Sequence, residues 1–294
     1  SDFRLKVFQS VAKNLSFTKA SQELFVSQPA ITKHIQELEA TYQTRLFDRQ
    51  GSKISLTESG RLLLEHCERI LEDYKRLEYE MHLLHNEYIG ELKLGASTTI
   101  AQYVLPPLLG SFIGKFPQVN LSLLNGNSRE IEAALQEHRI DLGLVEGVFR
   151  LPNLKYTTFL EDELVAVVHS KSRLQLPEEI TPQDLPAIPL VLRERGSGTL
   201  DVIERSLQKH GVKLSSLHVL MYLGSTESIK LFLENSDCMG IVSIRSICKE
   251  LAAGTFRVVE IKDMPMLRDF CFVQLQGQEG GLSQAFMNYM FMSR

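Results

Sequence analysis

The chain has 294 residues, about twice the usual size of one domain, so at least two domains are expected. Its composition, 44% hydrophobic and 23% charged, is that of a globular protein and excludes disorder of the whole chain. No apolar run approaches the ~20 residues that a membrane span needs, and no signal-peptide pattern is found near the first residues. These features predict a soluble cytoplasmic protein.

The cysteines and the charges narrow the function classes further. The cysteines form no C-x-x-C pair and are predicted to be buried thiols: Cys67, Cys238, Cys248 and Cys271. The net charge of −4 argues against indiscriminate nucleic-acid binding. Residues 1–60, however, hold eight Lys and Arg against six Asp and Glu. An excess of two cations decides nothing by itself, so its placement on the predicted elements matters.

The first sixty residues predict three short helices. Apolar side chains recur at helical spacing over residues 3–11, and residues 16–18 offer caps for a second helix over 19–24. A third helix starts near Ser27 and Pro29, because Ser27 can accept a hydrogen bond from a free backbone N–H and Pro29 has no N–H to satisfy. Its predicted buried stripe is Ile31, Ile35, Leu38 and Tyr42, and its predicted outer face is Gln28, Thr32, Lys33 and Gln36.

These elements predict a helix-turn-helix followed by a wing. Two short helices, a turn of about three residues and a third helix with a partly basic face are the parts of that motif. Residues 46–57 then predict a hairpin that turns at Gly51, with Arg49 and Lys53 flanking its tip. A surface helix bundle with a solvated charged face is the alternative, since three-helix patterns are common.

Residues 3–60 resemble the DNA-binding domain of the LysR-type transcriptional regulators. The matching motifs are SFTKAS at 16–21, SQPAIT at 27–32, LFDR at 46–49 and LTESG at 56–60, together with Phe8, Ala12, Leu24, Ile35, Leu38 and Glu39. The resemblance implies that the third helix enters the major groove and that the wing touches the flanking backbone. It implies base contacts by Gln28, Pro29, Thr32 and Lys33, and phosphate contacts by Ser27, Lys33, Arg49 and Lys53.

A long connecting helix is predicted next. Neither Pro nor Gly occurs between Gly60 and Gly90, so a helix of about thirty residues, about 45 Å long, is expected. Its apolar residues follow a heptad seam: Leu63, Cys67, Ile70, Tyr74, Leu77, Met81, Leu84 and Tyr88. The seam favours pairing with a second copy, and packing against the chain's own domain is the alternative. A dimer suits a palindromic DNA site, and the resemblance implies the same dimerisation helix and often a tetramer.

After Gly90, short apolar runs alternate with amphipathic helices, which predicts an α/β fold with mainly parallel sheets. The predicted strands include 164–169 and 270–274, and the predicted helices include 99–115 and 244–251. The expected strands are too many for one compact sheet, so we predict two lobes with a ligand cleft between them. The chain would cross between the lobes near residues 161–162 and 263–265. The predicted domains are 1–60 (winged helix-turn-helix), 61–89 (dimerisation helix) and 90–294 (effector binding, with lobe I formed by 90–161 and 266–294 and lobe II by 162–265).

Polar residues at five strand-to-helix transitions are candidate ligand contacts, since α/β sheets present ligands to backbone N–H groups there. These candidates are Ser97, Thr98, Thr99, Asn127, Ser128, Glu146, Ser197, Gly198, Thr199 and Thr226. Each is by itself more often part of a plain helix start, but in this fold the five segments converge on one cleft. Hydroxyl and N–H donors at helix starts suit a carboxylate, sulfate or phosphate, and Glu146 would favour a ligand with an added amine or hydroxyl.

The last two hundred residues resemble the LysR-family effector domain, which is itself similar to periplasmic binding proteins. The matching motifs are LPPLL at 105–109, FP at 116–117, DLGLVEG at 141–147, GSGT at 196–199 and the run over 224–243. The resemblance implies a two-lobed α/β domain that binds a small effector. Family effectors range from aromatic acids to sulfate.

Two other function classes compete with a regulator. An enzyme would need a catalytic motif, and neither G-x-S-x-G, a Walker loop, a dinucleotide-binding G-x-G-x-x-G nor H-E-x-x-H occurs. A solute-binding or sensor protein without direct DNA readout would leave the first ninety residues unexplained. We therefore expect a sequence-specific DNA-binding transcriptional regulator, without cofactor or metal. Its expected partners are promoter DNA, a small anionic metabolite, further copies of the chain and RNA polymerase.

Overall fold

The computed structural model of the chain describes residues 3–51, 53–84, 88–278 and 280–293. By their internal contacts the residues form two compact units, which divide between Glu87 and Tyr88. The described part of the N-terminal unit has the order α1 (Phe3–Asn14), α2 (Phe17–Leu24), α3 (Gln28–Tyr42), β1 (Phe47–Gln50), β2 (Lys53–Leu56) and α4 (Glu58–Leu84).

Helices α1 to α3 pack around one apolar core. They bury the side chains that helical periodicity places on their inner faces, among them Phe8, Ile31 and Ile35. The second helix is capped by Ser16, whose hydroxyl accepts a hydrogen bond from the Lys19 N–H. The helices and the antiparallel pair β1 and β2 confirm the predicted winged helix-turn-helix. Tyr42 was wrongly placed in the buried stripe: it is the last residue of α3 and is exposed.

The first part of α4 packs against its own domain. Cys67 and Leu71 are buried in the core of the N-terminal unit, and Leu63 is half-buried against it. The sulfhydryl of Cys67 donates to the Leu5 carbonyl at 3.3 Å. At Leu63 and Cys67 the seam therefore follows the alternative interpretation, in which the helix stabilises the chain's own core.

The next part of α4 leaves its apolar side chains exposed. Ile70, Tyr74 and Leu77 are 40%, 38% and 52% exposed, and Met81 is 48% exposed. The side chain of Leu84 lies outside the part of the chain that the structure describes. The seam thus divides into a buried beginning and an exposed continuation.

The C-terminal unit alternates strands and helices. The described order is β3 (Gly90–Ser97), α5 (Thr98–Tyr103), α6 (Leu105–Lys115), β4 (Val119–Gly126), α7 (Ser128–Gln136), β5 (Leu142–Glu146), β6 (Leu154–His169), β7 (Glu179–Ile180), β8 (Leu190–Arg193), α8 (Gly198–Lys209), β9 (Val219–Leu223), α9 (Thr226–Glu234), β10 (Met239–Ser243), α10 (Cys248–Ala252), β11 (Phe256–Ile261), β12 (Met266–Leu275) and α11 (Gly281–Ser293). Three short 3-10 turns lie at Pro182–Ala187, Leu214–Ser216 and Ile244–Ser246.

The strands form one hydrogen-bonded path in the order β4-β3-β5-β12-β6-β10-β8-β9, with β11 pairing both β6 and β7. The parallel blocks β4-β3-β5 and β10-β8-β9 are joined through the long antiparallel strands β6 and β12. The α/β fold is confirmed. All these strands join one path because β6 and β12 run through both halves, and both are much longer than the predicted runs 164–169 and 270–274.

Two further elements differ from the prediction. The helix expected over 99–115 is divided at Val104, and α6 starts anew with Pro106 and Pro107 in its first turn. The helix expected over 244–251 is a 3-10 turn followed by the short helix α10.

Each half of the C-terminal unit has a core of its own. One cluster includes Ile131, Leu135 and Val273, and a separate one includes Leu164, Leu190 and Leu200. Of the cysteines, Cys67, Cys238 and Cys271 are buried, but Cys248 is exposed at the start of α10, which corrects the expectation of four buried thiols. Among the described helices, none combines the length and apolarity needed to cross a membrane.

Candidate DNA interface and effector site

The start of α3 presents the polar residues that the sequence predicted. The Ser27 hydroxyl accepts a hydrogen bond from the Ala30 N–H, and Pro29 lies in the first turn. Ser27, Gln28, Pro29 and Lys33 are exposed. Thr32 is half-buried, and its hydroxyl donates to the Gln28 carbonyl at 3.1 Å. This face therefore offers side chains of the kinds that bind base edges and phosphates.

The wing adds two exposed cations. Gly51 has a φ of +63° in the turn between β1 and β2, which suits glycine, and Arg49 and Lys53 are exposed on either side of it. The Arg49 guanidinium lies 5.1 Å from the centre of the Phe17 ring, a cation–π distance. Lys33 and Lys53 make no ion pair within the described ranges.

In the C-terminal unit, a buried polar cluster surrounds the end of β5. Glu146 is buried there, and the hydroxyl of Ser97, at the end of β3, donates to its carboxylate. Ser97 is the N-cap of α5 but makes no capping bond with its side chain. The Ser128 hydroxyl donates to the Glu146 carbonyl at 2.6 Å.

Gly198 allows α8 to approach this cluster. A Cβ atom at position 198 would lie 2.0 Å from the Glu146 carbonyl oxygen, so only glycine fits the close backbone approach. This contact brings the start of α8, from the predicted lobe II, against the end of β5, from the predicted lobe I.

Arg268 on β12 joins the cluster. Its Nε donates to Asp162 Oδ2 at 2.8 Å, its Nη1 donates to Thr199 Oγ1 at 2.8 Å, and Nη1 lies 3.7 Å from Glu146 Oε1. Asp162 also accepts a hydrogen bond from the Ser243 hydroxyl at 2.7 Å. One arginine thus contacts residues of β5, β6 and α8.

A second buried arginine, Arg193, is the last residue of β8. Arg193 is only 1% exposed, and its Nε and Nη2 lie 2.9 and 3.2 Å from the carboxylate of Glu194. Among the described side chains, three buried donors here lack a hydrogen-bond partner: Arg193 Nη1, Arg268 Nη2 and Thr99 Oγ1. Buried polar atoms are rarely left unpaired, so these donors indicate a place for an acceptor.

The electrostatics of Glu146 reflect the same cluster. Burial raises the pKa of its carboxyl above the ordinary value, and the guanidinium groups of Arg268 and Arg193 oppose that rise. The Asp162 carboxylate adds to it. Glu146 is therefore a carboxyl that is costly to ionise where it lies.

The structure brings only some of the predicted effector residues together. Ser97, Ser128, Glu146, Gly198 and Thr199 meet in the cluster. Thr99 supplies one of the unpartnered buried donors. The other candidates have different surroundings: Thr98 donates to the Gly126 carbonyl at 3.4 Å, Asn127 and Ser197 cap α7 and α8, and Thr226 is buried in the first turn of α9.

Sequence reasoning missed Arg193, Arg268 and Asp162. A signal was present, because a charged residue at an inward position of an apolar strand is unusual. Met266, Arg268 and Phe270 alternate along β12 and are all buried.

Two cavities lie in the C-terminal unit. One of about 360 Å³ has three cations and two acidic residues in its lining: Arg150, Arg205, Arg268, Glu161 and Asp269. The other, of about 550 Å³, has only acidic residues among its charged lining, namely Glu163, Glu260 and Asp263. Both have the size of ligand pockets, but of the two only the first has cations in its lining, in excess of its acidic residues, so it suits an anion better.

A winged helix-turn-helix followed by an α/β unit with a buried polar cluster defines a DNA-binding regulator with a ligand-binding domain. Comparison with known families agrees. The family model described as "Bacterial regulatory helix-turn-helix protein, lysR family" matches residues 3–61, and the "LysR substrate binding domain" matches residues 85–291. The chain belongs to the LysR family of transcriptional regulators, which are DNA-binding proteins and not enzymes.

Individual relatives support the same assignment. The Escherichia coli K12 protein YeiE, described as an uncharacterised HTH-type transcriptional regulator, is 34% identical over 88% of this chain and 85% of its own. The regulatory domain of Synechocystis CcmR, solved in complex with 2-PG, is 28% identical over 69% of this chain and 97% of its own, with a TM-score of 0.62. Full-length CbnR with its target DNA shares the fold at 22% identity and a TM-score of 0.56, covering 99% of this chain and 98% of its own.

Proposed function

We propose that the regulator binds a small anionic metabolite at the cluster around Arg193 and Arg268, and that this binding controls its action on promoter DNA. The observation that carries the proposal is the set of unpartnered buried donors, Arg193 Nη1, Arg268 Nη2 and Thr99 Oγ1. Guanidinium and hydroxyl donors in a water-poor site bind carboxylate or phosphate oxygens strongly. The complex of CcmR with 2-PG supports an anionic effector, since 2-phosphoglycolate carries a phosphate and a carboxylate.

Effector binding would act where the two lobes meet. The lobes are the proposed segments 90–161 with 266–294 and 162–265, and the separate hydrophobic cores favour this division. Arg268 contacts Glu146 of lobe I and Thr199 of lobe II, and the Tyr103 hydroxyl of α5 donates to Glu227 of α9. A ligand that engages the free Nη2 of Arg268 would therefore favour one arrangement of the lobes.

DNA recognition is assigned to α3 and the wing. We propose that Gln28, Pro29, Thr32 and Lys33 contact bases, and that Ser27, Lys33, Arg49 and Lys53 contact phosphates. Exposure of Gln28 and Lys33 and of both wing cations supports this assignment. The proposed DNA-binding domain is 1–60, the dimerisation helix 61–89 and the effector-binding domain 90–294.

Self-association is assigned first to α4. Ile70, Tyr74 and Leu77 form an exposed apolar stripe at heptad spacing, which a second copy of the helix would cover. A dimer would match a near-palindromic promoter site. The strands at the two ends of the path, β4 and β9, also expose apolar side chains: Leu123, Leu124, Leu220, Met221 and Tyr222. These exposed edges support further association to a tetramer. Action in the cytoplasm with RNA polymerase as a further partner belongs to the same proposal.

Calorimetric titration of the full chain with 2-phosphoglycolate, phosphate, sulfate and simple carboxylates tests the effector assignment. We expect at least one of these anions to bind. Replacing Arg193 by Lys should weaken binding about tenfold or more, because the charge stays but the planar donor fork is lost. Arg173→Lys is the matched control, since the Arg173 side chain is 93% exposed and lies beside Asp237, which is not part of the cluster. Equal affinities for the Arg193→Lys and parent proteins would contradict the site.

A further inference from the structure

Glu146 is a buried carboxyl surrounded by other charged side chains. Its side chain is buried at the end of β5, and its Oε2 atom accepts the Ser97 hydroxyl. The charged groups that face it come from three other strands: Arg268 on β12, Arg193 on β8 and Asp162 on β6.

The two guanidinium groups have carboxylate partners of their own. Arg268 lies 2.8 Å from Asp162, and Arg193 lies 2.9 Å from Glu194. Glu146 is a third carboxyl, and its nearest cation is the already paired Arg268 at 3.7 Å. Asp162 also lies 3.5 Å from the guanidinium of the partly exposed Arg245, so Glu146 is the one of these three carboxyls whose nearest described cation is no closer than 3.7 Å.

An anion bound at the free nitrogens of Arg268 and Arg193 would lie beside the Glu146 carboxyl. Two negative charges that lie side by side in a buried site repel each other strongly. We infer that Glu146 binds a proton when the site holds an anionic effector, so that the anion and one proton enter together and the Glu146 carboxyl donates a hydrogen bond. This inference rests on the proposed function, and it makes Glu146 a residue that selects the ligand.

The chemistry of the step is simple. A proton from the solvent adds to the carboxylate oxygen of Glu146 that Ser97 does not occupy, and no other bond forms or breaks. Burial already raises the pKa of Glu146 in the empty site, and a nearby anion raises that pKa further. Both effects favour the protonated carboxyl. Above the pKa of the empty site, binding takes up one proton, so affinity falls as pH rises, up to tenfold per pH unit. Below that pKa the carboxyl is already protonated and this dependence disappears.

Calorimetric titration of the full chain with 2-phosphoglycolate measures how many protons the protein takes up on binding. The titration is run from pH 6.5 to 9 in cationic buffers of different ionisation enthalpy, which do not compete as anions. We expect the parent protein to take up as much as one proton more than Glu146→Gln, because glutamine keeps an acceptor for Ser97 but cannot titrate. Glu163→Gln is the matched control, since Glu163 is exposed on β6, and it should behave as the parent.

A second measurement does not depend on the folding of a variant. In infrared difference spectra, anion binding above the pKa of the empty site should add the carbonyl band of a protonated carboxyl in the parent protein. Above the pKa of the empty site, equal proton uptake on binding in the parent and Glu146→Gln proteins, or binding without the band, would overturn the inference while leaving the anion site intact. Absence of binding by every anion of the panel would instead contradict the proposed function itself.

Discussion

The two functional regions leave cations unpaired in opposite environments. On α3 and the wing, Lys33 and Lys53 are exposed and make no ion pair among the described residues. In the C-terminal unit, Arg193 and Arg268 are buried, and each keeps one guanidinium nitrogen without a partner. An exposed cation is solvated and costs the fold little, whereas a buried donor without an acceptor weakens it.

This difference links stability to binding in only one of the two regions. Removing a wing cation changes affinity for DNA but should leave the fold alone. Removing a buried arginine also takes away the ion-pair partner of a nearby carboxylate, so stability and effector binding change together. Substitutions in the two regions can therefore break or sharpen the comparison.

The largest effect is expected for Arg268→Met. It removes the 2.8 Å partner of the buried Asp162 carboxylate, which keeps the Ser243 hydroxyl and the Arg245 guanidinium at 3.5 Å, so we expect a cost of about 3 kcal/mol, the lower end for breaking a buried pair. Urea unfolding of the full chain, followed at the first transition, measures the change. Arg173→Met should shift the free energy of unfolding by no more than about 0.5 kcal/mol, since Arg173 is exposed. A loss below about 1 kcal/mol for Arg268→Met would mean that the cluster does not depend on this pair.

Leu77→Glu tests a surface that is exposed in one copy but would be buried in a dimer. A carboxylate in a dry seam costs several kcal/mol, so dimers should weaken or vanish in sedimentation equilibrium. His66→Glu is the matched control, because it adds the same charge to α4 at an exposed position outside the seam. Unchanged dimers of Leu77→Glu would show that α4 pairs through another face or not at all.

The same contrast explains what the sequence could predict. The winged helix-turn-helix follows from local signals: Ser16 and Ser27 cap their helices as expected, and Gly51 turns the wing. These signals act over three or four residues and need no tertiary information. The DNA-contact assignments rest on the same local features and remain predictions.

The effector site depends on contacts that are distant in sequence. Ser97 and Glu146 were candidates because they end strands, but the partner of Arg268 is 106 residues away, and no local pattern connects the two. The lengths of β6 and β12 were missed for the same reason, since pairing between them extends each strand beyond its apolar run. The inward arginines were the available signal, and alternation along β12 would have revealed one of them.

A smaller effect is expected for Gly198→Ala. The added Cβ would meet the Glu146 carbonyl at 2.0 Å, so α8 or β5 must shift, at a cost of about 1–3 kcal/mol. Because the shift occurs at the cluster, affinity for the anion should fall as well. Gly110→Ala is the control: its Cβ meets nothing within 4 Å, and alanine suits the helix. Unchanged stability of Gly198→Ala in urea would show that the approach of α8 to β5 is not tight.

The smallest effect on the fold is expected for Lys33→Ala, and it completes the comparison. Lys33 is exposed, so the free energy of unfolding should change by no more than about 0.5 kcal/mol. If its ammonium group meets a phosphate, DNA binding should weaken to a similar degree on all sequences, and the slope of log affinity against log salt should fall by about one. Lys171→Ala, an exposed lysine of the effector unit, should leave that slope unchanged. Fluorescence anisotropy with specific and random duplexes over a salt series measures the affinity for each duplex and the salt slope. An unchanged slope for Lys33→Ala would remove Lys33 from the phosphate contacts, and a loss confined to one operator sequence would make it a base-reading residue only.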